Sequence, residues 1–96
     1  MWKQEESPSL NPFKIAETDT FIKKRKSAKY QAFYPKILEF IYPIIRINPF
    51  FGPHIKKLKG DYKDIYRYRI GEYRLLYKIE GDFVYMLTIV NRKDAY

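Results

Sequence analysis

The chain lacks cysteine, and its 96 residues include a single histidine. The absence of cysteine excludes disulfide bonds, thiolate metal ligands and a cysteine nucleophile, and it fits a reducing compartment, so we expect a cytoplasmic protein. One histidine and scattered carboxylates predict no metal site. The few glycines form no phosphate-cradling loop, so we expect no cofactor.

Long apolar runs are also absent. No stretch is long enough to span a bilayer, and the first residues are polar and contain proline, unlike a signal peptide. We therefore expect no membrane partner. Residues 1–11 show no hydrophobic periodicity and are interpreted as a flexible N-terminal lead-in, whereas residues 12–96 are expected to form one domain around a modest core.

Positive charge and aromatic residues are abundant. The formal net charge is +8, and 17 residues are tyrosine or phenylalanine. A surface field of this sign attracts a polyanion, through phosphate contacts, or an acidic protein. Charge alone does not distinguish these two partners.

The first half of the chain has one strand-like segment and two helical segments. The run 13–16 predicts a short strand, and Thr18 or Asp19 is a plausible N-cap for a helix that continues through Lys26. A second helix is predicted from about Tyr30 or Tyr34 to Ile47, because apolar residues recur there at intervals of three and four. Pro43 should kink or shorten this helix near Glu39.

The second half predicts three strands, over residues 65–70, 73–80 and 83–91. Gly71-Glu72 and Gly81-Asp82 are two-residue connections with glycine first, as tight hairpin turns prefer. The fold class is therefore α+β, in the order strand, helix, helix and three strands. We expect an antiparallel sheet with the helical hairpin packed on one face.

Two-residue turns determine strand register, so Ile70 should lie opposite Tyr73 and Arg69 opposite Arg74. Alternation then places four basic residues on the non-core face: Arg67, Arg69, Arg74 and Lys78. Facing arginines repel each other. Either a phosphate lies between their guanidinium groups, or Glu72 or Asp64 neutralises part of the cluster.

Beside these arginines the same alternation predicts a mixed apolar surface. Its members are Leu76, Tyr85, Leu87 and Ile89. An amphipathic helix of a partner could cover this surface. Equally, it could be a second core face beneath the N-terminal segment.

Three segments carry a resemblance to a known family. They are Leu58-Lys59-Gly60, then Tyr66-Arg67-Tyr68-Arg69-Ile70-Gly71-Glu72-Tyr73-Arg74-Leu75-Leu76-Tyr77, and finally Arg92-Lys93-Asp94-Ala95-Tyr96. In this order they resemble the RelE/ParE toxin superfamily. The resemblance is strongest over residues 58–96, and the preceding strand and helices fit the family layout more loosely.

The resemblance implies a RelE-type toxin of a type II toxin-antitoxin system: a ribosome-dependent endoribonuclease that cuts messenger RNA and is held inactive by a cognate antitoxin, expected to be acidic. The catalytic residues that it implies are Lys59, Arg69, Arg74, Arg92 and Tyr96. The expected RNA-binding residues are Lys57, Lys59, Arg67, Arg69 and Lys78, and the apolar surface is the expected antitoxin contact.

Arg67 and Arg69 stand where the family often has lysines, and arginine does not exchange protons near neutral pH. This departure therefore either weakens the expectation of general-base catalysis or shifts the role to Lys59 or Tyr96. A regular second turn would put Arg92 on the face opposite Arg74, unless a bulge turns it back. His54 is interpreted as a partly exposed loop residue.

Two other functions stay open at this stage. One is a ParE-like toxin that inhibits DNA gyrase by protein contact. The other is a non-catalytic member of the same fold that binds RNA or protein.

Overall fold

The computed structural model describes residues 12–62 and 64–91, without the side chain of Tyr62. Strand β1 (Lys14–Glu17) leads into helix α1 (Asp19–Lys26) and a second helical stretch, α2 (residues 31–47). Four strands follow: β2 (Ile55–Lys57), β3 (Tyr66–Ile70), β4 (Tyr73–Glu80) and β5 (Phe83–Asn91). The predicted lead-in at residues 1–11 lies outside the described residues.

The five strands form one sheet in the order β1-β5-β4-β3-β2. The α+β class is confirmed, with two additions. Strand β1 joins the edge parallel to β5, so the sheet is mixed. Strand β2, which the sequence did not predict, pairs antiparallel with β3 at the opposite edge. It has only three residues, two of them lysine, so it carries no alternating apolar signal.

The predicted hairpin between β3 and β4 is confirmed residue by residue. Ile70 pairs with Tyr73, Arg69 with Arg74 and Arg67 with Leu76. Gly71 and Gly81 adopt positive φ angles of 56° and 63°, whereas Glu72 and Asp82 do not, which is the sign pattern of type II′ turns. Glycine supplies this backbone conformation without steric cost.

Helix α1 begins where Thr18 accepts a hydrogen bond from the backbone N–H of Phe21, at 3.2 Å. The predicted N-cap is therefore confirmed, and it is Thr18. Glu17, just before it, receives hydrogen bonds from Tyr34 and Tyr42 of α2, each 2.7 Å, and from Arg25 of α1, 2.9 Å. This carboxylate thus joins β1 to both helices.

Helix α2 does not end at Glu39. It contains a π turn, Ile37–Ile41, in which the N–H of Tyr42 bonds the carbonyl of Ile37 immediately before Pro43. The wider turn passes the proline, which has no N–H to donate. It also shifts the apolar stripe, so that Phe40 and Ile44 are 57% and 45% exposed, while residues 37, 41 and 45 are buried.

The core lies between the two helices and one face of the sheet. From the sheet it takes Tyr68, Leu75, Tyr77, Val84, Met86 and Ile89, and from the helices Phe21, Ile37, Ile41, Tyr42 and Ile45. The buried hydroxyl of Tyr77 donates to the carbonyl of Pro49 at 2.6 Å. No helix in the described ranges is long and apolar enough to cross a bilayer.

A bulge in β5 changes which of its residues face the core. Leu76 pairs with Thr88 and Tyr77 with Met86, so Leu87 has no partner on β4. Beyond the bulge, Ile89 pairs with Leu75 and is fully buried in the core. Its predicted place beside the arginines is therefore wrong, because the extra residue inverts the alternation.

Candidate nucleic-acid interface

The sheet face opposite the helices carries the predicted arginines. Arg69 lies directly across from Arg74, and Arg67 is flanked by Lys56 of the unpredicted strand β2. Paired residues of neighbouring strands point to the same side of a sheet. Lys56 therefore extends the positive face to the sheet edge.

These side chains line an open groove of about 390 Å³, called here the basic groove. It is bordered by Lys56, Lys57, Leu58, Lys59, Arg67, Arg69 and Arg74. Six of the seven residues are basic. The structure thus brings together five of the predicted site residues, namely Lys57, Lys59, Arg67, Arg69 and Arg74, and adds Lys56.

The two facing arginines of the groove, Arg69 and Arg74, have no negative charge paired with them among the described residues. Within the described residues, no carboxylate forms an ion pair with Arg69 or Arg74, and Asp64 is 4.0 Å from the ammonium of Lys57. Facing arginines repel each other, so an anion between them would lower the free energy of the folded chain. The sequence left two ways to offset this repulsion: a phosphate between the arginines, or neutralisation by Glu72 or Asp64. The described contacts do not provide the neutralisation.

Arg74 has a buried donor for which the described residues supply no acceptor. Its Nε is buried and bonds no other described atom. A buried unpaired polar group costs about 1–3 kcal/mol, and more if it is charged. The donor therefore favours a bound oxyanion.

Arg67 is held from one side by backbone. Its Nη1 donates 2.8 Å to the carbonyl of His54, and the same carbonyl accepts from the N–H of Arg69 at 2.9 Å. These bonds tie the start of β2 to β3 and orient the guanidinium along the sheet. Arg67 is therefore positioned in advance of any ligand.

Two of the predicted RNA-binding lysines have other contacts. The ammonium of Lys57 lies 5.9 Å from the ring centroid of Tyr66, and Lys57 lines a neighbouring hollow as well as the basic groove. Lys78 lies outside the groove, and its ammonium is 3.1 Å from Glu80. The structure therefore does not join Lys78 to the arginines.

The predicted antitoxin contact is smaller than expected. Tyr85 and Leu87 line a shallow hollow, together with Thr18, Lys78 and Glu80. Leu76 is nearly buried, with a relative exposure of 7%. Ile89 has left this surface for the core. Three of the four predicted residues thus remain on the outer face.

Two of the implied catalytic residues, Arg92 and Tyr96, lie outside the described residues. The described part of β5 ends at Asn91, and beyond the bulge Val90 pairs with Arg74.

His54 is exposed, as predicted, but it is not remote from the site. It lines a small hollow of about 230 Å³ with Pro53, Arg67 and Arg69. Its ring lies 5.5 Å from that of Tyr68, tilted by 38°. No sequence pattern could find this, because it depends on the pairing of β2 with β3.

The described residues contain no group of three or more histidine, aspartate and glutamate side chains that could hold a metal ion. The chemistry that the groove itself offers is that of fixed cations: oxyanion binding and stabilisation of charge on phosphate oxygens.

The chain is similar in sequence to one curated toxin. Over 42 residues it is 40% identical to Toxin RelE3 of Methanocaldococcus jannaschii, a match that covers 44% of this chain and 47% of that protein. The match thus spans about half of the relative's length. No model of a known protein family matches the chain.

Solved structures resemble the whole described fold. The archaeal RelE-RelB complex of Pyrococcus horikoshii contains a chain that is 26% identical with a TM-score of 0.66, and the match covers 88% of this chain and 99% of that one. A chain of the RelB-RelE antitoxin-toxin complex from Methanococcus jannaschii is 28% identical, with a TM-score of 0.57 and coverage of 80% and 89%.

A chain of the toxin-antitoxin complex RelBE2 from Mycobacterium tuberculosis has the same fold, with a TM-score of 0.70 at 24% identity, over 84% of this chain and 99% of that one. The similarity to the RelE/ParE toxin superfamily that the sequence indicated is confirmed by these comparisons.

Proposed function

We propose, from the premise that this chain has the fold of the RelE/ParE toxin superfamily, that it is the toxin of a type II toxin-antitoxin pair and cuts messenger RNA on the ribosome. The observation that carries the proposal is the basic groove, with a buried Arg74 donor that no described residue pairs. A groove of six cations suits the phosphate backbone of RNA.

The proposed reaction requires no metal. The 2′-hydroxyl of one nucleotide attacks the adjacent phosphorus, an O2′–P bond forms, and the P–O5′ bond breaks. The 2′-hydroxyl loses its proton and the leaving 5′-oxygen gains one, so the products are a 2′,3′-cyclic phosphate and a 5′-hydroxyl. Negative charge grows on the non-bridging oxygens, where Arg69 and Arg74 stabilise it with donors already in place.

Proton transfer needs a different side chain. Arginine keeps its proton at all accessible pH values, whereas lysine and tyrosine can exchange one. Lys59 lines the basic groove beside the arginines, and we propose that it takes part in moving the 2′-hydroxyl proton. Tyr96 and Arg92 complete the set that the resemblance implies.

The proposed partners are messenger RNA, the ribosome and a cognate acidic antitoxin, in the cytoplasm. Several solved structures of similar chains are toxin-antitoxin complexes, which supports an antitoxin partner. The outer residues Leu76, Tyr85 and Leu87 are its proposed contact. Negative charge on the antitoxin would complement the net charge of +8.

Expression of the chain alone, followed by mapping of RNA ends, tests the proposal. We expect growth arrest with new messenger 5′ ends inside coding regions, and neither with Arg74→Ala. Arrest with intact transcripts and induced DNA damage would contradict the proposal and favour gyrase inhibition. Arrest that persists in Arg74→Ala without cleavage would favour a non-catalytic protein.

A further inference from the structure

A second hollow opens at the sheet edge next to the basic groove. It has a volume of about 260 Å³ and is lined by His54, Tyr68, Arg69, Ile70 and Gly71; we call it the edge hollow. Arg69 lines both the edge hollow and the basic groove. A ligand that reaches from one to the other therefore passes Arg69.

The walls of the edge hollow are suited to a flat ring. His54 is exposed and presents its imidazole beside the largely buried ring of Tyr68, with the centroids 5.5 Å apart. Arg69, also exposed, lines the hollow from the next position of β3. Single-stranded RNA is bound by stacking its bases on aromatic rings and guanidinium planes.

The open rim and the small volume of the hollow also suit a single flat ring. Gly71 stands at the rim, and a Cβ added there would meet nothing within 4 Å, so the hollow is open on that side. Sites for drug-sized ligands measure about 300–1,000 Å³, and the edge hollow is smaller than these. It suits one base, not a larger ligand.

We propose that the edge hollow binds the base of a single nucleotide, stacked on His54, while the phosphate of the same nucleotide lies in the basic groove against Arg69. The inference rests on the proposed function only in taking that nucleotide from RNA. It assigns His54 a binding role that neither the groove nor the proposed reaction requires.

Titration of the ¹⁵N-labelled full chain with adenosine 5′-monophosphate, or with ribose 5-phosphate, tests the inference by NMR. Both probes should shift amides of the groove, around Lys56 and Arg67. Only the nucleotide should also shift Ile70 and Gly71. Stacking of one base should make its dissociation constant at least about fivefold lower than that of ribose 5-phosphate.

Variants of His54 sharpen the test. His54→Ala should remove the advantage of the nucleotide over ribose 5-phosphate, and His54→Phe, which keeps a flat ring, should retain it. Phe83→Ala, an exposed aromatic residue on the first position of β5, is the matched control and should change neither constant. Unchanged amide spectra away from the hollow establish that each variant is folded.

Equal affinities and equal shift patterns for the two probes in the wild-type chain would overturn the inference, as would an unchanged advantage in His54→Ala. Failure of the proposed function has a separate signature. If transcripts stay intact during expression but the nucleotide still shifts Ile70 and Gly71, base binding in the edge hollow is supported and the proposed ribonuclease activity is contradicted. If transcripts are cut while the probes behave alike, the reverse holds.

Discussion

The hydroxyl of Thr18 donates a 2.8 Å hydrogen bond to the carbonyl of Met86, the residue immediately before the bulge in β5. The backbone N–H of Thr18 bonds the same carbonyl at 3.1 Å, and its side-chain oxygen caps α1 by accepting from Phe21. One side chain thus joins the start of a helix to the irregularity that determines which β5 residues face the arginines.

Replacing Thr18 should reveal this double role. Thr18→Val keeps the shape but loses the side-chain hydrogen bonds to the carbonyls of Met86 and Leu87 and from the N–H of Phe21, so we expect the free energy of unfolding to fall by about 1–2 kcal/mol. Thr18→Ser keeps the hydroxyl and should lose less. Urea unfolding measures both values. Thr20→Val, at an exposed position in the first turn of α1, is the control, and a loss there equal to that of Thr18→Val would contradict the prediction.

Glu17 should make stability depend on pH. Burial by itself raises the pKa of Glu17, but the hydrogen bonds from Tyr34, Tyr42 and Arg25, together with the charge of Arg25, outweigh it and lower the pKa below the ordinary glutamate value. The native state then holds fewer protons than the unfolded chain. The stabilisation that the charged Glu17 carboxylate gives the folded chain is present above the unfolded pKa of about 4.3. It is lost as pH falls through the lowered native pKa.

We therefore expect the wild-type free energy of unfolding to fall below about pH 5 more steeply than that of Glu17→Gln. Denaturant titrations of both proteins between about pH 3 and 7 give the comparison. This range brackets the pKa of free glutamate, which is roughly 4.3. Glu80→Gln alters a carboxylate that is 61% exposed, and it should follow the wild type. If the free energies of unfolding of wild type and Glu17→Gln changed with pH in parallel, the Glu17 carboxylate would not be the source of the pH dependence.

Arg74 should separate stability from activity. Arg74→Met keeps a long side chain but removes the buried Nε that has no described acceptor. We expect the variant to be as stable as the wild type, or more stable by up to about 1–3 kcal/mol, and yet to lose toxicity and RNA binding. Thermal unfolding and growth on induction measure the two effects. Lys14→Met, an exposed change on β1, should leave both unaltered; strong destabilisation by Arg74→Met would argue that the arginine is structural.

The basic groove should make RNA binding depend on salt. Each cation that contacts a phosphate of single-stranded RNA contributes about 0.7 to the slope of log K against log salt concentration. Lys56→Gln and Lys59→Gln should therefore each lower the slope by about that amount, measured by fluorescence anisotropy with a labelled RNA. Lys14→Gln removes an exposed lysine far from the groove and provides the comparison. Identical slopes for all three variants would place the RNA elsewhere.

Local patterns in the sequence determined the two-residue hairpin turns, the register of β3 with β4 and hence the shared face of Arg67, Arg69 and Arg74. These features follow from alternation and from glycine at turn positions, which act over a few residues. For the same reason the sequence predicted the α+β order and the cap at Thr18.

Only the tertiary structure decided the rest. The bulge at Leu87 moved Ile89 into the core, the π turn brought Phe40 and Ile44 to the surface, and the pairing of β2 carried Lys56 and His54 to the arginines. Each depends on a contact between distant segments: Thr18 with Met86, the helix with the sheet, and one edge strand with its neighbour. Such contacts leave no periodic trace in the residues that make them, so the basic face could be predicted from the sequence and the groove and hollow could not.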